Sequence, residues 1–222
     1  MATLALGLLV LPLLRRAPGL PEERELRAQR AIHWGARAYL RTLRLLRIAR
    51  IRCWGEERLR EPGKLIIATH PTLLDAVVLM SLMPQADCVV KQSYYENPFL
   101  AGTSRGAGYI PSGEGPGIVD RCVERLQRGR SVIIFPEGTR SPVGGLGPFA
   151  RGAAHIALRS KCDMIPVTIR CTPPTLYRGV PWWHVPASRF TISLQVDDPL
   201  PVEDLVAGEK SRGRAARTLT AA

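Results

Sequence analysis

The sequence lacks the features that would indicate a metal site, a disulfide framework or a membrane-spanning helix. It has five widely spaced cysteines and no Cys-x-x-Cys pair, which argues against bound zinc and against paired disulfides. Reduced thiols in a domain that faces the cytosol are the simplest interpretation. No internal repeat is visible, and the 222 residues, 45% of them apolar, suit one globular domain of ordinary size.

Lysine is scarce as well, with 4 residues against 27 arginines, and the formal net charge is +12. The first 60 residues hold 13 arginines and 5 glutamates, so they carry +8 of that charge. A basic end beside an apolar run is typical of proteins that bind an anionic membrane surface. Nucleic acid is the other polyanion that such an end can bind. Because no nucleic-acid-binding motif occurs, we expect a membrane surface, and no nucleic acid, as partner.

The apolar run at the start of the chain is short. Thr3 to Leu14 offers about 12 apolar residues, whereas a membrane-spanning helix needs about 20. Pro12 interrupts the run, and Arg15 and Arg16 follow it, whereas a signal peptide carries its positive charge before the apolar part. A segment that dips into the membrane surface is our expectation. A short packing helix and a processed signal peptide are the alternatives.

A basic amphipathic helix is predicted from Glu22 to about Leu46, after Pro18 and Pro21. Glutamates fill its first turn, where the helix dipole favours acids. Apolar residues recur at helical spacing on one face, and arginines on the opposite face: Ala28, Ile32, Ala36, Tyr39, Leu43 and Leu46 against Arg30, Arg37, Arg41 and Arg44. Such a helix can lie in a lipid interface or pack on the domain with a solvated arginine face, and the sequence allows both.

Short apolar strands alternate with helices through the rest of the chain. Strands are predicted at 65–68, 88–91, 109–111, 131–135, 164–170 and 190–196, with helices at 71–83, 118–127 and 150–160. This alternation predicts an α/β fold, a mixed central sheet flanked by helices. We divide the chain into an N-terminal membrane-anchoring helical segment (1–52), the main domain (53–208) and a basic tail (209–222) that we expect to be disordered.

Two motifs follow predicted buried strands. Residues 70–75 read His-Pro-Thr-Leu-Leu-Asp, and residues 135–141 read Phe-Pro-Glu-Gly-Thr-Arg-Ser. Neutral histidine accepts a proton near neutral pH, and a carboxylate on its other nitrogen sets the tautomer and stabilises the imidazolium. His70 and Asp75 are therefore a candidate general base and its orienting partner. The alternative is that His70 caps the following helix and Asp75 is a surface residue.

The second motif has the composition of an anion-binding turn. Gly138 leaves backbone N–H groups accessible, Thr139 adds a hydroxyl, and Arg140 adds a guanidinium that can bind phosphate through two hydrogen bonds. Glu137 cannot bind phosphate itself, so it either orients a substrate hydroxyl or pairs with Arg140. An ordinary surface turn with exposed charge is the alternative.

The two motifs together resemble the glycerolipid acyltransferases, the family of 1-acyl-glycerol-3-phosphate acyltransferase, and the resemblance extends from about Trp54 to about Pro201. It implies a catalytic dyad and an acceptor-binding turn at these positions: His70 and Asp75 for the dyad, and Glu137, Gly138, Thr139 and Arg140 for the turn. It also implies that Lys91 lies near the phosphate of the acceptor. Ile165-Pro166-Val167 corresponds to a fourth block, to which structural and acyl-chain roles are assigned in the family.

Three positions depart from the family pattern. Thr69 and Thr72 stand where Asn and Ser are usual, and both changes are mild. The third concerns the second block, Gly-x-Ile-Phe-x-x-Arg, because Glu114 stands here in place of the arginine that grips the acceptor's phosphate. Losing such a contact costs on the order of 1.5–3 kcal/mol. Either Arg105 or Arg121 substitutes for it, or the acceptor carries no phosphate.

We therefore expect a membrane-associated O-acyltransferase of phospholipid biosynthesis on the cytoplasmic face of a membrane. The expected donor is an acyl thioester of acyl carrier protein or coenzyme A, and no metal or resident cofactor is expected. The expected acceptor is the hydroxyl of a lysophospholipid, 1-acyl-sn-glycerol-3-phosphate. A phosphate-free lysolipid, such as a lyso-aminolipid, is the alternative acceptor. A non-catalytic membrane-binding protein on the same scaffold is the alternative outside enzymes.

Overall fold

The computed structural model describes residues 19–97, 101–113, 117–181, 183–184 and 186–205. The predictions for the apolar run at 3–14, for Glu114 and for the tail at 209–222 lie outside these residues. The described part contains seven strands: β1 Ala49–Trp54, β2 Leu65–Ala68, β3 Asp87–Lys91, β4 Ile110–Ser112, β5 Val132–Ile134, β6 Met164–Thr172 and β7 Phe190–Val196. It also contains α1 Pro21–Leu45, α2 Asp75–Leu82, α3 Gln92–Glu96, α4 Ala101–Gly106, α5 Gly117–Gln127, α6 Gly152–Ser160 and α7 Val202–Leu205, and a 3₁₀ helix at Glu56–Arg60.

The strands form one mixed sheet in the order β1-β7-β6-β2-β5-β3-β4. β2 to β6 run parallel to one another, whereas β7 is antiparallel to β6 and β1 is parallel to β7. The edge at which β2 to β6 end is called the carboxyl edge here, and the other the amino edge. β7 and β1 therefore begin at the carboxyl edge and end at the amino edge. The predicted α/β fold with a mixed sheet flanked by helices is confirmed.

Both faces of the sheet are covered. Along β2, Leu65 packs with α5 and α6 on one face, and Ile66 packs with α1 and α2 on the other. Both side chains are fully buried. Strands buried on two faces read as continuous apolar runs, and this is why the parallel strands of the sheet could be recognised in the sequence.

The first strand corrects the sequence interpretation. Residues 49–52 were assigned to a helical segment, and the boundary between residues 52 and 53 falls inside β1. Alternate side chains of β1 are exposed, as expected of an edge strand with one packed face: Arg50, Arg52 and Trp54. All six residues pair with β7 in register, so the strand belongs to the sheet.

Helix α1 packs on the sheet domain along its apolar face. Ala28, Ile32, Ala36 and Leu40 are buried, and the helix contacts α2 and β1. Burial of one large aliphatic side chain stabilises a fold by roughly 1.5–3 kcal/mol, so this face ties the helix firmly to the domain. The predicted arginines of the opposite face are all exposed. Within the described residues, no helix combines the length and apolarity needed to cross a bilayer.

An ion-pair network joins the start of α1 to the sheet. Glu25 accepts hydrogen bonds from Arg125 at 2.6 Å and from Arg130 at 2.8 Å. Arg130 also donates to the buried Asp87 at 2.7 Å, and Gln29 donates to the same carboxylate. Burial raises the pKa of Asp87 against the attraction of the two arginines. Burial opposes the charge of Glu25 as well, yet hydrogen bonds from both arginines hold its pKa below the ordinary value.

Candidate active site

His70 lies just beyond the end of β2, at the carboxyl edge of the sheet. Its Nδ1 is 2.9 Å from Oδ2 of Asp75. The Asp75 side chain is fully buried, and that of His70 is 21% exposed. The two predicted residues are therefore in contact, and the alternative of a surface aspartate is wrong. Since Nδ1 faces the carboxylate, Nε2 is the ring nitrogen left to exchange a proton with a substrate.

Thr72 holds the carboxylate of Asp75 in place. Its backbone N–H donates to Oδ2 at 2.6 Å, and its hydroxyl donates to Oδ1 at 2.7 Å. Helix α2 begins at Asp75 and not at Pro71 as predicted, because residues 71–74 form the turn that makes these contacts. Both carboxylate oxygens thus have donors, as a buried charge requires.

The second motif reaches His70 from the neighbouring strand. β2 and β5 are adjacent, with Ile67 opposite Ile134, so the residues that follow both strands meet at the carboxyl edge. The Phe135 ring stacks on the imidazole of His70, with centroids 4.3 Å apart and planes inclined at 26°. A flat apolar ring on one face of the imidazole limits its rotation. The sequence interpretation missed this contact.

Glu137 bonds to its own chain. Its Oε1 accepts hydrogen bonds from the Ser141 hydroxyl at 2.5 Å and from the backbone N–H of His70 at 3.2 Å. Its Oε2 accepts from the backbone N–H of Gly147 at 2.7 Å. Ser141 also donates its backbone N–H to the carbonyl of His70 at 2.8 Å. Glu137 therefore joins the two motifs, and it does not pair with Arg140 as one alternative supposed.

The rest of the turn is only partly exposed. Gly138 is exposed with φ at +63°, a conformation that favours glycine, and Thr139 is half-buried. Nη1 of Arg140 donates to the carbonyls of Leu176 and Tyr177, both at 2.8 Å. Arg140 thereby holds the segment after β6 against the turn at 135–141, and among the described residues Nε and Nη2 of its guanidinium have no partner.

Lys91 ends β3 at the same edge of the sheet, where its side chain is exposed. It lies opposite Ser112 of β4. Of the two arginines named as substitutes, Arg121 donates to the carbonyl of Pro111 at 3.2 Å, and Pro111 directly precedes Ser112 in β4. Arg105 donates to the carbonyl of Tyr95 instead. The structure thus brings Arg121 to the β4 end beside Lys91, while Arg105 is held by α3.

Two cavities adjoin the site. One, of about 490 Å³, lies between residues 141–146 and 171–177 and is bounded by Thr69 and Pro71, the neighbours of His70. The other, of about 260 Å³, is mostly apolar and extends under Pro166 and Val167 of the fourth block. Thr69, Leu146 and Thr168 line both cavities.

Cys171 lines the larger cavity without offering a nucleophile. Burial, and to a smaller extent the nearby Asp75 carboxylate, raises the pKa of its thiol to about 11. The thiol therefore stays protonated at neutral pH, and a thiolate is the reactive form of cysteine. In this group of side chains, the histidine with its buried carboxylate is the arrangement suited to abstracting a proton from a hydroxyl.

The fold and this site define an α/β protein with a histidine–aspartate dyad at a strand end. The sequence profile of the family described as Acyltransferase matches residues 50–170, more than half of the chain. The chain belongs to this family.

Individual relatives carry a common name. A chloroplastic 1-acyl-sn-glycerol-3-phosphate acyltransferase of Brassica napus is 32% identical over 118 residues, 51% of this chain and 34% of that protein. A 1-acyl-sn-glycerol-3-phosphate acyltransferase of Helicobacter pylori is 35% identical over 114 residues, 48% of each chain. The matched part of this chain thus spans about a third to a half of these relatives' lengths.

The fold is also found in a solved structure. The crystal structure of the 1-acyl-sn-glycerophosphate acyltransferase PlsC from Thermotoga maritima superposes with a TM-score of 0.66. The superposition covers 99% of this chain and 89% of that one, at 19% sequence identity. At this identity, the likeness concerns the fold.

Proposed function

We propose that the protein transfers a fatty acyl group from a thioester to the hydroxyl of 1-acyl-sn-glycerol-3-phosphate, in glycerolipid synthesis. The observation that carries the proposal is the His70–Asp75 pair, a partly exposed imidazole held by a buried carboxylate at 2.9 Å. The names of the relatives in Brassica napus and Helicobacter pylori support the choice of acceptor.

In the proposed reaction, the acceptor hydroxyl attacks the thioester carbonyl carbon as Nε2 of His70 takes its proton. Asp75 keeps Nδ1 protonated and stabilises the imidazolium that forms. The C–S bond of the tetrahedral intermediate then breaks, and the imidazolium returns the proton to the leaving sulfur. An acylated acceptor and a free thiol result. The acceptor alcohol is the nucleophile, so the protein needs no serine or cysteine in that role.

The acceptor is proposed to lie between the turn at 135–141 and the ends of β3 and β4. Arg140 keeps Nε and Nη2 for a phosphate, and Lys91 and Arg121 present cations at the neighbouring strand ends. Gly138 and Thr139 complete the turn. Glu137 contributes indirectly, because its hydrogen bonds position His70 and the turn. The alternative acceptor, a phosphate-free lysolipid, is suggested by Glu114 in the sequence.

The acyl chain is proposed to occupy the mostly apolar cavity beneath Pro166 and Val167. Burying a chain there removes apolar surface from water at about 0.8 kcal/mol per methylene group. The donor is proposed to be the thioester of acyl carrier protein or coenzyme A. Both donors are anionic, and a chain with a net charge of +12 attracts them.

Membrane association is proposed to involve the segment 1–52, on the cytoplasmic face. The outer side of α1 supports this, since it exposes Arg30, Arg37, Arg41 and Arg44, and Trp34 with 66% of its surface accessible. Aromatic and arginine side chains together suit a lipid interface. Deleting the segment would also remove the buried face of α1 from the core, so substitutions on the outer side are the better test.

A thiol-release assay tests the proposed function. Purified protein, acyl-thioester and either lysophosphatidate or a phosphate-free lysolipid are combined, and free thiol and acylated lipid are measured. Thiol release that depends on lysophosphatidate is expected, and Lys91→Ala and Arg121→Ala should raise its KM. A preference for the phosphate-free lysolipid would overturn the acceptor but not the acyl transfer. Release that no lysolipid stimulates would favour the non-catalytic scaffold.

A further inference from the structure

The carboxyl edge of the sheet carries exposed apolar side chains on three separate segments. The α1–β1 turn exposes Leu45, Leu46 and Ile48, and the loop after β5 exposes Val143 and Leu146. The loop between β6 and β7 exposes Trp183. Exposed fractions range from 37% to 73%, high for large apolar side chains on one side of a domain. These three segments are called the apolar rim.

The rim flanks the mouth of the site on the side of β6, β7 and β1. β7 and β1 begin at the carboxyl edge, so the turn before β1 lies at the same edge as His70. Phe190 donates its backbone N–H to Ile48 at 3.2 Å, which joins the turn to the β6–β7 loop. β6 continues five residues beyond Val167, which lies opposite the last residue of β2. At about 3.3 Å per residue, that loop projects roughly 16 Å past the end of β2.

The rim is positively charged. Residues 44–50, 138–151 and 170–189 contain no aspartate or glutamate. Their exposed arginines include Arg44, Arg47, Arg50, Arg151, Arg178 and Arg189. Apolar tips set among cations, with no acids, match the headgroup region of an anionic bilayer.

The amino edge carries acidic as well as basic side chains. Acidic residues cluster in the turns and loops there: Glu56, Glu57, Glu61, Asp163, Asp197 and Asp198. Several pair with local cations, such as Asp198 with Arg58 at 2.7 Å and Asp163 with Lys64 at 2.8 Å. The amino edge thus mixes both signs of charge, whereas the rim segments contain no acids, and this distinguishes one docking direction from the other.

We infer that the apolar rim is a second membrane-contact surface, which seats the carboxyl edge on an anionic bilayer with the mouth of the site facing the lipid. The inference rests on the proposed function, because it supplies a route for a membrane-held acceptor to reach His70. It goes beyond that function by giving the loop at 142–146, and the described residues between β6 and β7, a lipid-binding role independent of the segment 1–52.

The test compares two exposed tryptophans at opposite edges. Trp183 is 67% exposed on the rim, and Trp54 is 50% exposed at the amino-edge end of β1. The full chain and its Trp183→Glu and Trp54→Glu variants are titrated with vesicles of phosphatidylcholine mixed with phosphatidylglycerol. Trp183→Glu should weaken binding by on the order of tenfold, and Val143→Glu, on the loop after β5, should do the same. Trp54→Glu should leave binding unchanged.

A second pair of variants isolates the charge. Arg151→Gln and Arg178→Gln should each weaken binding to the anionic vesicles by roughly fivefold and leave binding to pure phosphatidylcholine unchanged. The inference would be overturned if Trp183→Glu and Trp54→Glu had equal effects, or if Trp183→Glu and Val143→Glu both kept full binding. Thermal melts establish that each variant is folded.

One further measurement distinguishes failure of the proposed acyl transfer from failure of the proposed membrane surface. Acyl transfer to a water-soluble short-chain lysophosphatidate is measured without vesicles in the same variants. Activity retained by Trp183→Glu with loss of vesicle binding supports the rim. If the wild type binds vesicles through the rim but transfers no acyl group, the proposed function fails and the surface stands.

Discussion

Phe135 lies flat on the imidazole of His70, with the two rings 4.3 Å apart. The two residues are 65 positions apart in the sequence and belong to different motifs. One edge of the imidazole meets Asp75, one face meets Phe135, and the backbone of His70 meets Glu137 and Ser141. The orientation of the candidate base is therefore set by the pairing of β2 with β5, and each motif depends on the other for its geometry.

Replacing His70 with alanine should lower kcat for acyl transfer by about 10²- to 10⁴-fold, the usual contribution of a general base. The other described histidines have no carboxylate partner of this kind, so His155→Ala is the control and should keep wild-type activity. Steady-state kinetics on folded protein provide the measurement. More than about a tenth of the wild-type rate in His70→Ala would show that the dyad assignment is wrong.

Asp75→Asn should reduce kcat nearly as much as His70→Ala. An amide can donate to Nδ1, which would place the ring proton on Nε2 and remove the base. Thr72→Ser keeps both donors to the carboxylate and should remain active, whereas Thr72→Val removes the hydroxyl donor and should lose about 1–3 kcal/mol of unfolding free energy. Chemical denaturation and kcat are compared across the three variants. An active Asp75→Asn would exclude the orienting role.

Glu137→Gln should lower kcat and the free energy of unfolding without raising the acceptor KM. Glutamine offers one carbonyl oxygen where glutamate accepts from three groups, so at least one buried donor loses its partner, at a cost of about 1–3 kcal/mol. Arg140→Ala is the comparison, and it should act mainly on the acceptor KM. A large KM increase in Glu137→Gln with normal stability would instead indicate direct acceptor binding.

Glu25→Gln should destabilise the fold at neutral pH by about 1–3 kcal/mol, because Arg125 and Arg130 lose their charged partner. The lowered pKa of Glu25 means that its carboxylate contributes stability above its unfolded-state pKa. That contribution is lost as the pH falls through the folded-state pKa. The raised pKa of Asp87 acts in the opposite sense, but it is present in both proteins.

The measurement is the difference in unfolding free energy between the wild type and Glu25→Gln across acidic pH. The difference should shrink as the pH falls and vanish below the folded-state pKa of Glu25. A difference independent of pH would show that Glu25 acts through packing and not through its charge.

Much of this arrangement could be predicted from the sequence, since buried parallel strands leave apolar runs and each motif follows one directly. Strand β1 could not be separated from the helix before it, because arginines recur there at a spacing that fits both elements. Its partner, β7, lies about 140 residues further along the chain. The start of α2 was misplaced because Pro71 suits a first helical turn, whereas the contacts of Thr72 with Asp75 require a turn there.

The roles of Glu137 and Arg140 were hidden for a different reason. Both residues stood out by type, but apart from the Ser141 hydroxyl their partners are backbone groups, and a backbone group has no signature in the sequence. The sequence placed His70 and Phe135 at the ends of two predicted buried strands, but it did not show that these strands are neighbours, and their contact depends on that pairing. The catalytic roles of His70 and Asp75 and the substrate roles of Lys91, Gly138, Thr139 and Arg140 stay predictions. The membrane-anchoring role of the segment 1–52 stays a prediction as well.

The carbonyl of Leu176 accepts two hydrogen bonds, one from Arg140 and one from the backbone N–H of Leu73 at 3.2 Å. Leu176 therefore ties the β6–β7 loop to the turn at 71–74 and to the turn at 135–141, and a loop that lifts off both releases the amide of Leu73 to solvent. The hydrogen–deuterium exchange rate of that single amide therefore reports how often the loop lifts, independently of substrate and of any enzymatic assay.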